Sequence, residues 1–92
     1  MSMDMMKTPK ELGMGIAANL KKMRKQRKLS QKALAEKAGV SYGSMKRFEQ
    51  TGEIALESLL KIAIVLGETE PFEALFKPTE IKSIQEIIDG NL

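Results

Sequence analysis

The sequence has 92 residues with 42% apolar, 29% charged and only 4% aromatic side chains, a composition that favours one small helical domain with an aliphatic core. The absence of cysteine and histidine excludes disulfides, thiol chemistry and the usual zinc sites, and it removes the commonest general base. Residues 1–50 carry twelve basic and four acidic side chains, whereas residues 51–92 carry three basic and eight acidic ones. This division of charge predicts that one face of the protein contacts a polyanion and that a separate surface is acidic. A solvated basic helix without a partner would give the same charge distribution.

Membrane segments and catalytic motifs are not expected from the sequence. The longest apolar run, Ile62–Leu66, is too short to span a bilayer, and residues 1–10 lack the apolar core of a signal peptide. No carboxylate pair, phosphate-binding glycine loop or nucleophile motif stands in a catalytic context. We therefore expect a cytoplasmic, nucleoid-associated protein that is not an enzyme and that needs neither a metal nor a cofactor.

The first predicted helix begins at Pro9. Residues 8–11, Thr-Pro-Lys-Glu, place threonine at the N-cap, proline at the first helical position and glutamate where it completes a capping box. Apolar side chains then recur at helical spacing, and the helix is expected to end near Arg27 or Lys28. The residues predicted to face the core are Ile16, Ala17, Leu20 and Met23.

Two short helices follow, and each is predicted to begin after a serine. Ser30 can cap the second helix, and Gly39 stands where a left-handed residue would end it. Ser41 can cap the third helix, which is expected to end at Thr-Gly, residues 51–52. Only Gly39 and Val40 separate the two helices, a spacing that is typical of a helix-turn-helix motif. With so short a turn, the third helix should keep one flank exposed.

A fourth helix and a helical C-terminal extension are predicted next. The fourth helix has the clearest helical periodicity and ends at Gly67. Its predicted inward residues are Leu56, Leu59, Leu60, Ala63 and Leu66. Pro71 is expected to start one or two further helical turns before Pro78. Beyond Pro78 lies an isoleucine stripe formed by Ile81, Ile84, Ile87 and Ile88. This stripe would pack on the domain, join two copies or contact a partner.

Residues of specific type stand at specific spacings across the second to fourth predicted helices. They are LSQKALAEKAGVS at 29–41, Phe48-Glu49, and LLKIA at 59–63. On these residues, the segment 16–67 resembles the Xre, or phage-repressor and Cro, helix-turn-helix family. The resemblance implies an all-α, five-helix phage-repressor-like fold with a short helical C-terminal extension. We expect the helix-turn-helix domain to cover residues 8–67, the helical extension to cover 68–92, and residues 1–7 to be disordered. It also implies that a homodimer binds double-stranded DNA at a palindromic operator.

The resemblance also implies roles for individual side chains. Gln31 holds the position of a glutamine that braces the DNA backbone and the recognition helix. Arg24 holds the position of a residue that commonly pairs with the counterpart of Glu49, so we interpret these two as a structural ion pair. Further backbone contacts are expected at helix N-termini, whose free amides attract phosphate. The expected backbone-contacting residues are Ser30, Gln31, Lys32, Ser41 and Lys46.

Base reading is expected from the exposed flank of the third helix. Arg47 is the best candidate, because a guanidinium matches guanine O6 and N7 in bidentate fashion. The predicted base-reading residues are Tyr42, Gly43, Ser44 and Arg47. Gly43 departs from the family pattern and permits two opposite interpretations: the helix approaches the groove floor closely, or the protein reads few bases. The loop 50–55 also departs, because it is slightly shorter than usual and carries an acid where many relatives carry a base.

The main functional hypothesis is a sequence-specific transcriptional regulator, expected to be a repressor. Three settings fit: an autoregulating antitoxin encoded beside a toxin such as a HipA-type kinase, a controller of a restriction–modification system, or a phage repressor. The alternative is a protein-interaction module on a helix-turn-helix scaffold with weak or no DNA reading. Gly43 and the acidic second half of the chain support that alternative.

Overall fold

The computed structural model describes residues 6–78, and this part of the chain folds into five α-helices without a strand. They are α1 (Pro9–Gln26), α2 (Gln31–Ala38), α3 (Tyr42–Thr51), α4 (Leu56–Leu66) and α5 (Glu70–Glu73). The predicted all-α, five-helix fold is therefore confirmed. The predictions of a disordered start and of an isoleucine stripe fall wholly or mainly on residues 1–5 and 79–92, outside the described residues.

The predicted caps are present at the ends of the helices. Thr8 and Glu11 form a reciprocal capping box, in which each backbone amide donates to the other side chain at 3.1 Å. Ser30 and Ser41 each accept a bond of 3.0 Å from the amide three residues ahead, which starts α2 and α3. Left-handed glycines follow three of the helices, and they are Gly39, Gly52 and Gly67.

The core lies where α1, α2, α3 and α4 meet, and apolar side chains, most of them aliphatic, fill it. Its largest fully buried side chains are Phe48, Leu34, Met45 and Ile62. Burial of each such side chain contributes roughly 1.5–3 kcal/mol relative to its exposure to water. Because Met45 and Phe48 lie on α3 with Leu34 on α2, the two helices of the helix-turn-helix share this core. One side of α3 is consequently fixed inward.

Two side chains predicted to face the core are exposed instead. Ile16 is 48% exposed on α1 and Leu56 is 64% exposed on α4, whereas Ile62, absent from the predicted stripe, is fully buried. The face of α4 that packs inward is centred on Leu59, Ile62 and Leu66. Helix α4 carries apolar residues around most of its circumference, and periodicity alone therefore does not identify which face is buried.

An apolar groove of about 300 Å³ includes the exposed side chain of Ile16 in its lining. It runs between α1 and α4 and reaches Phe72 on α5. Among the side chains that line it are Ile16, Leu20, Met23, Leu59, Leu66 and Phe72. Ile16 is thus part of an apolar surface, although it does not lie in the core.

The start of α1 and the end of α3 touch backbone to backbone. A Cβ atom on Gly13 would lie 2.5 Å from the carbonyl oxygen of Gly52, and one on Gly52 would lie 2.6 Å from the carbonyl carbon of Gly13. Gly52 also has a φ of 77°, which disfavours any other residue. This approach requires glycine at both positions and fixes where the loop after α3 begins.

Replacing Gly13 with alanine is expected to destabilise the protein by about 1–3 kcal/mol, because the new methyl group would push the Gly52 backbone away. Gly15, two residues along the same helix, has nothing within 4 Å of the point that a methyl group would occupy, so Gly15→Ala is the matched control. That control should raise the free energy of unfolding by roughly 1 kcal/mol through helix propensity. Urea denaturation measures both, and equal stabilisation by the two variants would contradict the close contact.

Candidate nucleic-acid interface

A buried ion pair joins α1 to the end of α3. Arg24 Nε donates to Glu49 Oε2 at 2.8 Å, and Arg24 Nη2 donates to Glu49 Oε1 at 2.9 Å. Arg24 Nη1 also donates to the carbonyl oxygen of Leu29 at 2.8 Å, in the turn before α2. Gln31 Nε2 donates to Glu49 Oε1 at 2.9 Å from the first residue of α2. One carboxylate therefore connects α1, the start of α2 and α3.

The pair is shielded from water, but its pKa values are shifted by the bonds within the pair and against the effect of burial. Arg24 is 7% exposed, and the Glu49 side chain is 3% exposed. Burial alone would raise the pKa of Glu49, but hydrogen bonds from Arg24 and Gln31 and the charge of Arg24 outweigh it and lower the pKa below its ordinary value. The bond to Glu49 raises the pKa of Arg24 against the opposing effect of burial. Both groups are therefore charged at neutral pH.

The opposite side of α3 is open to solvent. Tyr42, Gly43, Lys46 and Arg47 are exposed, and we call these four residues the reading face, after the base reading that the sequence predicts for this flank. The ammonium of Lys46 lies 5.1 Å from the centre of the Tyr42 ring, a cation–π distance. An arginine, a lysine and an aromatic ring thus surround a residue without a side chain.

Ser44 differs from the other predicted base-reading residues. It is half-buried, and its backbone amide donates to Ser41 Oγ at 3.0 Å. The Ser41 hydroxyl in turn donates to Ser44 Oγ at 2.8 Å. Both serines are engaged in the cap of α3, and the proton of the Ser44 hydroxyl can still be donated outward. Ser44 lines a surface depression together with Arg47 and Glu53.

Four of the five predicted backbone-contacting residues lie at the N-termini of α2 and α3, whereas Lys46 lies further along α3 on the reading face. Ser30 and Ser41 cap these helices, and Lys32 is exposed in the first turn of α2. The amides of a first helical turn have no partner within the helix and favour an anion. Gln31 differs, because its amide nitrogen is bonded to Glu49, which leaves its oxygen and one N–H for other partners.

The sequence pattern did not predict the partner of Arg47. Arg47 Nη2 donates to Glu53 Oε1 at 2.9 Å, so the predicted guanine-binding side chain already holds a carboxylate. The acid in the loop after α3 is visible in the sequence as a departure from the family pattern, but only the path of the loop shows which side chain it meets. Gly52 determines that path by its left-handed conformation.

Neither a metal site nor a membrane span is indicated within the described range 6–78. This range contains no group of three or more Asp, Glu, His or Cys side chains that could hold a metal ion. None of its helices has the length and apolar character needed to cross a membrane.

Comparison with known families agrees with this geometry. The helix-turn-helix family model matches residues 20–72, which is more than half of the chain and spans α2, α3 and α4 completely. The chain therefore belongs to the Xre, Cro and phage-repressor-like helix-turn-helix family, as the sequence resemblance implied. Members of this family are DNA-binding regulators rather than enzymes. No curated protein matches the chain.

Replacing Glu49 with glutamine should cost about 3–5 kcal/mol at pH 7, because it leaves the charge of Arg24 buried without a counterion. Because folding lowers the pKa of Glu49, the ion pair makes its full contribution to the free energy of unfolding above the ordinary carboxyl pKa of about 4.3. That contribution is lost as the pH falls through the pKa of Glu49 in the folded protein. Urea denaturation should therefore show the difference between wild type and variant narrowing on acidification.

The matched control is Glu57→Gln, which alters an exposed pair with Lys61 on α4. It should change the free energy of unfolding by no more than about 0.5 kcal/mol at any pH. If the difference between wild type and E49Q is the same at every pH, the lowered pKa of Glu49 is wrong.

Proposed function

We propose that the protein is a sequence-specific double-stranded DNA-binding transcriptional regulator, a repressor, that places the reading face of α3 in the major groove. The observation that carries the proposal is the division of α3 into two sides. Met45, Phe48 and Glu49 hold one side in the core and in the buried ion pair. Tyr42 and Arg47 stand on the other side with hydrogen-bonding and apolar groups that can reach base edges.

Within this function, Arg47 reads a guanine and Tyr42 contacts a sugar or a thymine methyl group. Lys46 is placed next to Tyr42 and neutralises a phosphate, so it adds affinity without sequence information. Ser44 has a supporting role, because its hydroxyl already accepts a hydrogen bond from Ser41 in the cap of α3. The N-termini of α2 and α3 supply the remaining phosphate contacts, and the assigned residues there are Ser30, Gln31, Lys32 and Ser41.

Gly43 supports close approach to DNA rather than weak reading. A Cβ atom at this position would meet nothing nearer than Ser41 Oγ at 4.0 Å, and the backbone is helical with a negative φ. The fold therefore does not require a glycine, and glycine weakens a helix relative to alanine. We therefore assign Gly43 a role in DNA binding: because it has no side chain, this turn of α3 can approach the floor of the major groove closely.

We further propose that the protein acts as a homodimer on a palindromic operator, in the cytoplasm with the DNA it regulates. Two copies related by a two-fold axis would present two reading faces to two half-sites. Exposed apolar side chains of α4 such as Leu56 and Ile64 provide surface that a second copy would cover. If a toxin is encoded beside it, such a dimer would repress its own operon and neutralise the toxin, as an autoregulating antitoxin does.

A protein-interaction module with weak or no DNA reading is the second candidate. The apolar groove between α1 and α4 favours it, because grooves of this kind bind apolar segments of other proteins. The two candidates differ in what the reading face does, and a DNA selection distinguishes them.

The direct test is selection from a random double-stranded DNA library with purified full-length protein at near-physiological salt. A recovered palindrome would support a dimeric regulator, and its half-site spacing would give the geometry of the dimer. Recovery of no motif by protein with a cooperative unfolding transition would reject sequence-specific reading and favour the interaction module.

Replacing Arg47 with alanine should cost about 1–3 kcal/mol of binding free energy on the selected operator and relax the preference at one position per half-site. Lys46→Ala is the matched control, since it removes one neighbouring positive charge from the same helix. It should weaken binding to operator and unrelated DNA by the same factor. Fluorescence anisotropy titrations measure both variants, and an equal loss on all sequences for Arg47→Ala would mean that Arg47 contacts only phosphate.

Replacing Gly43 with alanine should raise the free energy of unfolding by about 1 kcal/mol and lower operator affinity roughly tenfold. The fold gains helix propensity, whereas the new methyl group stands between α3 and the groove floor. Gly15→Ala on α1 is expected to give similar stabilisation and leave DNA affinity unchanged. A Gly43→Ala protein that binds the operator as tightly as wild type would contradict close approach at this turn.

A further inference from the structure

We propose that Glu53 determines specificity through Arg47: it holds the guanidinium in position for a base edge and penalises contact of the same side chain with phosphate. The proposal rests on the proposed function, because it concerns how the reading face distinguishes an operator from other DNA. Glu53 is a positioning residue, and Arg47 is the group that touches the base.

The ion pair has little structural purpose. The Arg47 and Glu53 side chains are 67% and 64% exposed, in contrast to the buried pair of Arg24 and Glu49. Exposed pairs contribute little to the free energy of folding. A carboxylate beside a DNA-facing arginine also opposes the approach of a polyanion. Its effect is therefore expected in DNA binding rather than in stability.

Backbone geometry holds Glu53 in place independently of the ion pair. The Thr51 hydroxyl donates to the carbonyl oxygen of Arg47 at 2.7 Å and accepts a bond of 3.2 Å from the backbone amide of Glu53. The Gly52 amide donates to the carbonyl oxygen of Phe48 at 2.7 Å, and the backbone of Gly52 rests against Gly13. The loop is thus tied to α3 and α1, and it presents the carboxylate to the Arg47 side chain.

Because a guanidinium has several N–H donors, Glu53 affects the contact of Arg47 with guanine differently from its contact with phosphate. A guanidinium has five N–H donors, and Glu53 occupies one of them on Nη2. Guanine O6 and N7 need two donors, so Arg47 can bind a guanine while it keeps Glu53. A phosphate also needs donors but brings a full negative charge toward the carboxylate, which disfavours that contact. Glu53 should consequently weaken non-specific binding more than operator binding.

The test compares wild type with Glu53→Gln on two duplexes, the operator selected by the wild-type protein and a scrambled sequence, across a series of salt concentrations. We expect the affinity of the variant for the scrambled duplex to rise about 3- to 10-fold and the ratio of operator to scrambled affinity to fall about fivefold or more. The salt dependence on scrambled DNA should steepen by about 0.9 in log–log slope, equivalent to one additional phosphate contact.

Two further variants separate positioning from charge. Glu57→Gln changes the net charge by the same amount but alters a carboxylate paired with Lys61 on α4, so the affinity ratio should stay at the wild-type value. In an Arg47→Ala background, Glu53→Gln should produce no further fall in the ratio, because the side chain through which Glu53 acts is gone.

The outcomes separate this proposal from the proposed function. A selection that recovers no motif, or a wild-type protein that binds the recovered motif no more tightly than the scrambled duplex, rejects the function itself. A wild-type protein that does distinguish them, with Glu53→Gln indistinguishable from Glu57→Gln, overturns only the role of Glu53. A fall in the ratio that is equally large in the Arg47→Ala background would also overturn it, since Glu53 would then act without Arg47.

Discussion

The buried pair of Arg24 and Glu49 is the interaction on which the arrangement of the helix-turn-helix depends. It joins α1 to the last turns of α3, and Gln31 adds the start of α2 to the same carboxylate. A buried ion pair gains little net stability over apolar packing, but its hydrogen bonds permit few alternative geometries. We therefore assign its value to position: a small apolar core could let α3 rotate or slide, whereas a bidentate pair near the end of α3 holds one orientation.

This constraint links the interior of the domain to its surface. Since Phe48 and Glu49 fix the inward side of α3, the outward direction of Arg47 is fixed as well. The end of the same helix rests on α1 through Gly52, which places the next loop residue, Glu53, beside Arg47. Two contacts with α1, one ionic and one backbone to backbone, thus determine both the reading face and the acid next to it.

Local sequence signals predicted most of the fold, but they did not predict contacts between distant residues. Serine caps and left-handed glycines locate helix ends because they act within a few residues. The pairing of Arg24 with Glu49 was expected only from the family resemblance. The exposure of Leu56 was mispredicted because α4 is apolar on most sides. The contact of Gly13 with Gly52 and the pair of Arg47 with Glu53 depend on loop geometry, which no spacing rule specifies.

The exposed side of α3, held by the buried ion pair, is the DNA-binding surface that we propose. The most direct measurement is a titration of ¹⁵N-labelled protein with the selected operator duplex, followed by amide chemical shifts. We expect saturable changes concentrated in residues 30–32 and 41–53, with much smaller ones along the groove at Ile16, Leu66 and Phe72. Changes concentrated along that groove, or no saturable change at all, would contradict the proposed surface.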